Sequence, residues 1–313
     1  MMPKVLFTGM LPPGWGTIPQ ARFAAFGFEA VLDGRDPYKS EEIFYFSGFR
    51  PPPGFLNTLP NLRAIFSLGA GVDGFLRDPD FPRDVPLVRF VDQTLIHEMA
   101  QYVVMHVLIA HRGQRFFDAA QHESAWHQRM LLRASRETRI GILGLGDIGT
   151  AIAHSLMPFD FQISGWSKTR KTIPGVKSYA GASELDAFLG QADYCICVLP
   201  LTEKTRGILN AALFAKLPKG AFVINVARGG HLVEADLIAA LNSGHLSGAV
   251  LDVFQAEPLP ATSPLWTHPD VTATPHIAAL TDTKAALKFI GECVRRAEVG
   301  QPLPHVVDVK RGY

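Results

Sequence analysis

Six consecutive residues, Gly144-Leu145-Gly146-Asp147-Ile148-Gly149, restrict this chain more than any others. They follow the apolar run RIGIL (139–143) and open a helical pattern, DIGTAIAHSLMPF (147–159). A bare G-x-G-x-x-G is a weak signal, but set between a strand and a helix it marks the turn of a βαβ unit that takes a dinucleotide. Gly144 permits the tight turn, Gly146 lets a pyrophosphate approach the backbone, and Gly149 lets the helix pack close to the sheet. Free N–H groups and the partial positive charge at the helix N-terminus suit the pyrophosphate. The competing reading is a tight βα turn that binds nothing.

The rest of the chain repeats this alternation. Downstream, QISGWSK, YCICVLP, AFVINVAR, SGAVLDVF and DVTATPH read as strands, with SELDAFLGQ and EADLIAALNSG as helices among them. Upstream, PKVLFTG, EIFYFSG, LRAIFSLG and PLVRFV are short, rich in β-branched or aromatic residues, and end near Gly, Pro or Asp. PQARFAAFG is a helical pattern among them, and PPPG at 51–54 is a surface loop. Strands alternating with helices build parallel sheets. A length of 313 residues suits two domains at roughly 100–200 residues each. Residues 94–125 read as one long, largely apolar helical stretch, with VVMHVLIA apolar on nearly every face. Such a helix lies inside a large protein or under a partner subunit. TDTKAALKFIGECVRRAEVG reads as a final helix, capped by Thr281 or Asp282 and stopped by Gly300 and Pro302.

Composition excludes several classes of partner. The formal net charge is +1, which gives no general attraction to nucleic acid or an anionic membrane. No apolar stretch reaches the ~18 residues of a membrane span, and MMPKVLFTGM reads as a first strand and turn, not a leader. Cys195, Cys197 and Cys293 form no metal or disulfide pattern. The Cys-x-Cys pair on a strand points both thiols to one face as buried packing, and a reducing cytoplasm is the matching compartment.

The second strand of the dinucleotide unit shows which cofactor to expect. An NAD site carries an acidic residue about 20 positions on, for the ribose 2′-hydroxyl. That position falls near Ser167, and the chain runs Ser167-Lys168-Thr169-Arg170-Lys171 with no carboxylate. Three cations and two hydroxyls suit a 2′-phosphate, so NADP is expected, with NADPH preferred over NADH.

Three later strands end in residues suited to keto-acid reduction. Asn225-Val226-Ala227-Arg228-Gly229-Gly230, Leu251-Asp252-Val253-Phe254-Gln255-Ala256-Glu257-Pro258 and Thr274-Pro275-His276-Ile277-Ala278-Ala279 stand where open α/β sheets place ligands. Reduction needs a cation for the carboxylate and carbonyl, a proton donor, and a group that keeps the donor protonated. Arg228 fits the first role, because a guanidinium stays charged and matches carboxylate geometry. His276 fits the second, since an unperturbed histidine titrates in the working range. Glu257 fits the third, because a negative neighbour favours imidazolium. Singly, each has an ordinary explanation as a surface charge, a loop residue or a turn former; together they do so only if the fold fails to join them.

The order G-L-G-D-I-G, N-V-A-R-G, L-D-V-F-x-x-E-P and T-P-H-I-A resembles the D-2-hydroxyacid dehydrogenases. The similarity extends to V-L-P-L-T (198–202) with Thr205 and to L-G-A-G-V-D (68–73). Within that family, WSKTRK followed by PGV (174–176), EPLPATSPLW (257–266) and the final RGY are similar to the glyoxylate/hydroxypyruvate reductase A branch. The resemblance implies an α/β fold of two Rossmann-like parallel-sheet domains with a cleft between. One is a flavodoxin-like substrate domain, residues 1–97 and 281–313; the other is the NADP-binding domain, residues 98–280. It implies that Arg228 binds the substrate carboxylate and keto oxygen, that His276 donates the proton, and that Glu257 holds and charges it. Backbone N–H groups around Gly69, Ala70 and Gly71 would grip the carboxylate. Asp252 would contact the nicotinamide carboxamide, Val226, Ala227 and Arg228 would line the ring, and Leu199, Pro200 and Thr205 would border the adenosine half. For Trp126 two readings stand: a residue that reaches into the partner's active site in a homodimer, or a buried or interface aromatic. The implied substrates are small 2-keto acids, glyoxylate and hydroxypyruvate. Alternatives are a bulkier or phosphorylated keto acid, for which Arg63 and Arg77 lie close in sequence to the 69–71 loop, and a non-catalytic dinucleotide-sensing co-repressor.

Overall fold

The computed structural model describes residues 2–8, 23–128 and 133–312. Residues 19–22 of the helical pattern PQARFAAFG, the turn expected at 9–10 and the final Tyr313 lie outside the described residues. The chain forms two compact units, Met1–Leu95 with Thr281–Tyr313, and Ile96–Leu280.

In the first unit five strands run parallel: β1 (Lys4–Thr8), β2 (Glu29–Leu32), β3 (Tyr45–Gly48), β4 (Ala64–Ser67) and β5 (Leu87–Arg89). Their order, β2-β1-β3-β4-β5, is that of flavodoxin-like sheets. On one face, Phe7, Phe28, Phe66 and Phe90 pack with Ala286, Leu287, Ile290 and Cys293 of the terminal helix Thr283–Glu298. Asp282 caps that helix, accepting from the Ala285 N–H at 2.6 Å. The Thr281 hydroxyl instead donates to the Leu68 carbonyl at 2.7 Å.

The second unit holds seven parallel strands: β6 (Arg139–Leu143), β7 (Gln162–Ser167), β8 (Val176–Ala180), β9 (Tyr194–Cys197), β10 (Ala221–Asn225), β11 (Leu246–Leu251) and β12 (Val271–Ala273). In the order β12-β11-β10-β9-β6-β7-β8 the succession reverses between β6 and β9. This is the dinucleotide-binding order with one more strand, and the reversal is where such sheets open a crevice. The central strands are buried on both faces, which is why they read as apolar runs and not as alternations. Cys195 and Cys197 point into one core layer while Ile196 points into the other.

Residues 94–125 form two helices instead of one: α1 (Gln93–His111) and α2 (Gln114–His122). Gly113, with φ 65°, takes the left-handed conformation between them, which glycine adopts without strain. The helix α1 buries Ala100, Val103 and Val107, whereas Met105 on the same helix is 45% exposed. Within this chain, then, α1 is not buried all round.

The turn after β6 leads into α3 (Asp147–Leu156). A Cβ on Gly149 would lie 1.8 Å from the Gly144 carbonyl oxygen, so only glycine lets α3 come this close to the turn. Gly149→Ala forces the helix outward and costs about 1–3 kcal/mol, typical of overpacking. A lowered denaturation midpoint checks this; an unchanged midpoint removes the close-packing argument.

Candidate active site

Gly144 has φ 111°, and its N–H donates to the Trp166 carbonyl at 2.8 Å, which pins the turn to β7. A Cβ on Gly146 would meet nothing within 4 Å, so the face of the turn is open there. The N–H groups of Leu145 and Gly146 make no hydrogen bond among the described residues. An open concave backbone with free donors at a helix N-terminus fits a bound pyrophosphate.

At the end of β7, the Ser167 hydroxyl donates to the Thr169 carbonyl at 2.7 Å and shapes the loop. Lys168 and Lys171 are exposed. Arg170 donates to the Ser178 carbonyl at 2.6 Å and pairs with Glu184. A guanidinium so engaged braces the loop, which presents cations at Lys168, Arg170 and Lys171. In the loop after β9, Leu199 is buried, and the Thr205 hydroxyl donates to the Pro200 carbonyl at 2.7 Å. Thr205 thus holds the 200–205 loop in shape with its own hydroxyl.

The three strand-end residues singled out for chemistry belong to the second unit and converge there. Glu257 and His276, nineteen positions apart, meet with Nδ1 2.9 Å from Oε2. The other Glu257 oxygen accepts from the Phe254 N–H at 2.9 Å. Burial pushes the Glu257 carboxyl up, but the His276 hydrogen bond, the Phe254 N–H and the nearby Arg228 charge outweigh it. The net effect is a carboxyl held below its ordinary value, which is anionic at neutral pH. With its Nδ1 on Glu257, His276 keeps Nε2 for a proton that can be given away.

Two buried polar residues hold this pair and the arginine in place. Asp252 is 1% exposed. Its Oδ1 accepts from the Thr274 hydroxyl at 2.6 Å and the Ile277 N–H at 2.9 Å, and its Oδ2 from the Ala278 N–H at 2.9 Å. The Asp252 carbonyl also accepts from the His276 N–H at 2.8 Å. These bonds make Asp252 the anchor of the loop that carries His276. That loop needs an anchor, since His276 has φ 58°, a left-handed conformation that non-glycine residues adopt at a cost. Asn225 does the same for Arg228: its Oδ1 accepts from the Ala227 N–H at 3.2 Å and its Nδ2 donates to the Arg228 carbonyl at 3.1 Å. A Cβ on Gly229 would lie 1.9 Å from Phe254 backbone atoms, so glycine there brings the arginine turn against the glutamate loop.

Sequence reasoning missed the next layer. The Tyr102 hydroxyl of α1 lies 2.5 Å from Thr274 Oγ1, extending the Asp252 network to that helix. Burial pushes the Tyr102 phenol up to about 12, and keeps it a donor. A tyrosine and a histidine inside the apolar run of α1 were the available signal. Val226 and Ala227 are buried at the end of β10. Gly69, Ala70 and Gly71 lie in the first unit, where the buried Ser67 hydroxyl is 3.0 Å from the carbonyls of both Gly69 and Gly71. Those carbonyls turned inward leave the N–H groups of Ala70 and Gly71 without a partner among the described residues. Trp126 follows α2 and is 93% exposed, so within this chain it is not a buried aromatic.

A sheet that reverses at an open glycine turn, with an imidazole–carboxylate pair at its strand ends, defines a dinucleotide-binding α/β protein equipped for acid–base chemistry. Residues 104–278 match the family described as D-isomer specific 2-hydroxyacid dehydrogenase, NAD binding domain. The chain is 47% identical to glyoxylate/hydroxypyruvate reductase A of Klebsiella pneumoniae (strain 342) over 259 residues, 80% of this chain and 82% of that one. A D-isomer specific 2-hydroxyacid dehydrogenase from Xanthobacter autotrophicus Py2, solved in complex with NADPH and MES, superposes with a TM-score of 0.92 at 40% identity over the whole of both chains. An NADPH-dependent glyoxylate/hydroxypyruvate reductase from Sinorhizobium meliloti, solved with NADP and sulfate, gives 0.90 at 38% identity over 99% of each chain. The chain belongs to the D-isomer specific 2-hydroxyacid dehydrogenase family.

Proposed function

We propose that this protein reduces small 2-keto acids, glyoxylate to glycolate and hydroxypyruvate to D-glycerate, with NADPH as the electron donor. The observation that carries the reading is the 2.9 Å contact between His276 and an anionic Glu257, with the Arg228 charge beside them. Relatives that bear the reductase name, and solved neighbours that hold NADPH or NADP, support the same reading.

Bound NADPH supplies the hydride to the keto carbon. Gly144 to Gly149 hold its pyrophosphate on backbone N–H groups, and Lys168 and Lys171 hold the 2′-phosphate in a loop shaped by Ser167 and Arg170. Leu199, Pro200 and Thr205 border the adenosine half, and Val226 and Ala227 line the nicotinamide. Arg228 binds the substrate carboxylate and polarises the carbonyl. His276 gives its proton from Nε2 to the carbonyl oxygen as negative charge develops there, and Glu257 stabilises the imidazolium beforehand. Asp252 and Thr274 keep the ring aimed. The protein acts as a cytoplasmic homodimer, a reading supported by two large apolar side chains left exposed, Trp126 and Met105, and by three unpaired cysteines. Among the described residues no helix is long and apolar enough to cross a membrane.

Steady-state kcat/KM for glyoxylate, hydroxypyruvate and bulkier 2-keto acids, each with NADPH and NADH, tests this directly. Absence of NADPH-dependent reduction of both small acids rejects it. Ser167→Asp places a carboxylate where a 2′-phosphate would lie, and the NADPH-to-NADH ratio of kcat/KM falls at least about tenfold through like-charge repulsion. An unchanged ratio would show that the 167–171 loop does not read the phosphate.

A further inference from the structure

His231 takes no part in the steps above, yet it is fully buried directly behind Arg228. Its ring stands between two carbonyl oxygens: Nδ1 is 3.1 Å from that of Arg228, and Nε2 is 3.3 Å from that of Pro200. Both oxygens have other donors. The Arg228 carbonyl accepts from Asn225 Nδ2 and the His231 N–H, each at 3.1 Å, and the Pro200 carbonyl accepts from the Thr205 hydroxyl at 2.7 Å. Local hydrogen-bond satisfaction therefore does not require a histidine, and burying an imidazole carries a desolvation cost. What the ring adds is a span between two loops.

One of those loops adjoins the glycine turn. The Val198 N–H donates to the Leu143 carbonyl at 2.9 Å, and a Cβ on Gly144 would lie 3.0 Å from the Val198 oxygen. The same loop is fastened to the 230–231 segment by the N–H groups of Gly207 and Leu209, which donate to the Gly230 and His231 carbonyls, each at 2.9 Å. The other loop carries Arg228. A close-packed, buried ring between them transmits displacement instead of absorbing it.

We propose that His231 is a positioning residue that couples the dinucleotide-side loop at Pro200 to the substrate arginine, so that each ligand tightens the site of the other. The proposal rests on the reading of Arg228 and the glycine turn given above. Such coupling is reciprocal: whatever factor the dinucleotide lends to the acid, the acid lends to the dinucleotide.

The test uses the full-length protein, with oxalate as an unreactive mimic of glyoxylate and titration calorimetry with and without saturating NADP. In the wild type, NADP tightens oxalate by about tenfold, within the range usual for coupled sites. His231→Asn places an amide near the Nδ1 position, so it reaches Arg228 but not Pro200; His231→Leu reaches neither. In both, the ratio of oxalate affinities falls to about one, and in the Asn variant oxalate binding without NADP stays at the wild-type level. If the Leu variant does not fold, the Asn variant decides. Equal oxalate affinity with and without NADP in the wild type overturns the coupling, as does a folded variant that keeps the wild-type ratio. A merely structural His231 would lower the denaturation midpoint and leave that ratio intact. Failure of the underlying reading looks different: the wild type then binds no oxalate and reduces no glyoxylate, which overturns both.

Discussion

His276→Ala lowers turnover with glyoxylate and NADPH about a thousandfold, the usual contribution of a positioned general acid, and leaves NADPH affinity unchanged. Stopped-time assays of NADPH oxidation and a fluorescence titration of the cofactor measure the two quantities. The backbone conformation at this position makes a companion variant desirable. With φ at 58°, His276 occupies a region that alanine tolerates poorly and asparagine enters more readily. His276→Asn therefore removes the proton donor with less disturbance to the loop, and its turnover falls by a similar factor. If either variant turns over at the wild-type rate, His276 is not the donor. If turnover and cofactor affinity fall together only in the Ala variant, the effect belongs to the loop that Asp252 anchors.

Arg228→Gln has a comparable effect by a different route. The guanidinium offers paired donors and a permanent charge to a carboxylate, which a neutral amide cannot replace. Removing one electrostatic group at the reacting oxygen costs about a hundred- to a thousandfold, and here kcat/KM falls by that amount with a raised KM. Arg228→Lys restores the charge without the fork and recovers only part of the loss. A second signature accompanies the first. Burial pushes the Glu257 carboxyl up, and the Arg228 charge is among the influences that together bring it below its ordinary value. A carboxyl lowered in this way is ionised throughout the neutral range, and what it contributes is lost only as pH falls through the lowered value. Without Arg228 the carboxyl protonates at higher pH, so the acid-side loss of activity begins nearer neutrality in Arg228→Gln. A pH profile with an unmoved acid limb would place Arg228 away from this carboxylate.

The parts of this molecule that sequence reasoning reaches are those where a residue type answers to a local backbone need. Gly149 is legible because a strand precedes it and a helix follows, and Asp282 because a cap must stand there. The strand Val176–Ala180 escaped because, as an edge strand, it buries only Tyr179 among exposed and half-buried residues and shows no apolar run. Glu29–Leu32 escaped because its four residues are too short to show a period. Gly113 stood in plain view inside a helical pattern, but a single glycine costs a helix only about 1 kcal/mol and so does not by itself announce a break. At the site, Arg228, Glu257 and His276 were found through their chemistry at strand ends. Asp252 was found too, but not the bonds that its two oxygens make, because these depend on how the 274–278 loop folds back. Tyr102 and His231 were not found at all. Tyr102 left one signal, a polar residue inside the apolar run of α1, but its partner Thr274 lies far along the chain; His231 reaches Pro200 through a single ring nitrogen, and nothing in its neighbours' identities marks it out.

The three cysteines have a practical consequence. Burial pushes the Cys197 and Cys293 thiols up to about 12 and raises that of Cys195 as well, so in the folded chain none is a nucleophile at neutral pH. An alkylating reagent consequently meets them only when the polypeptide opens. Cys293 belongs to one compact unit and Cys195 with Cys197 to the other, so the order in which peptides acquire label is a clock for which half loosens first.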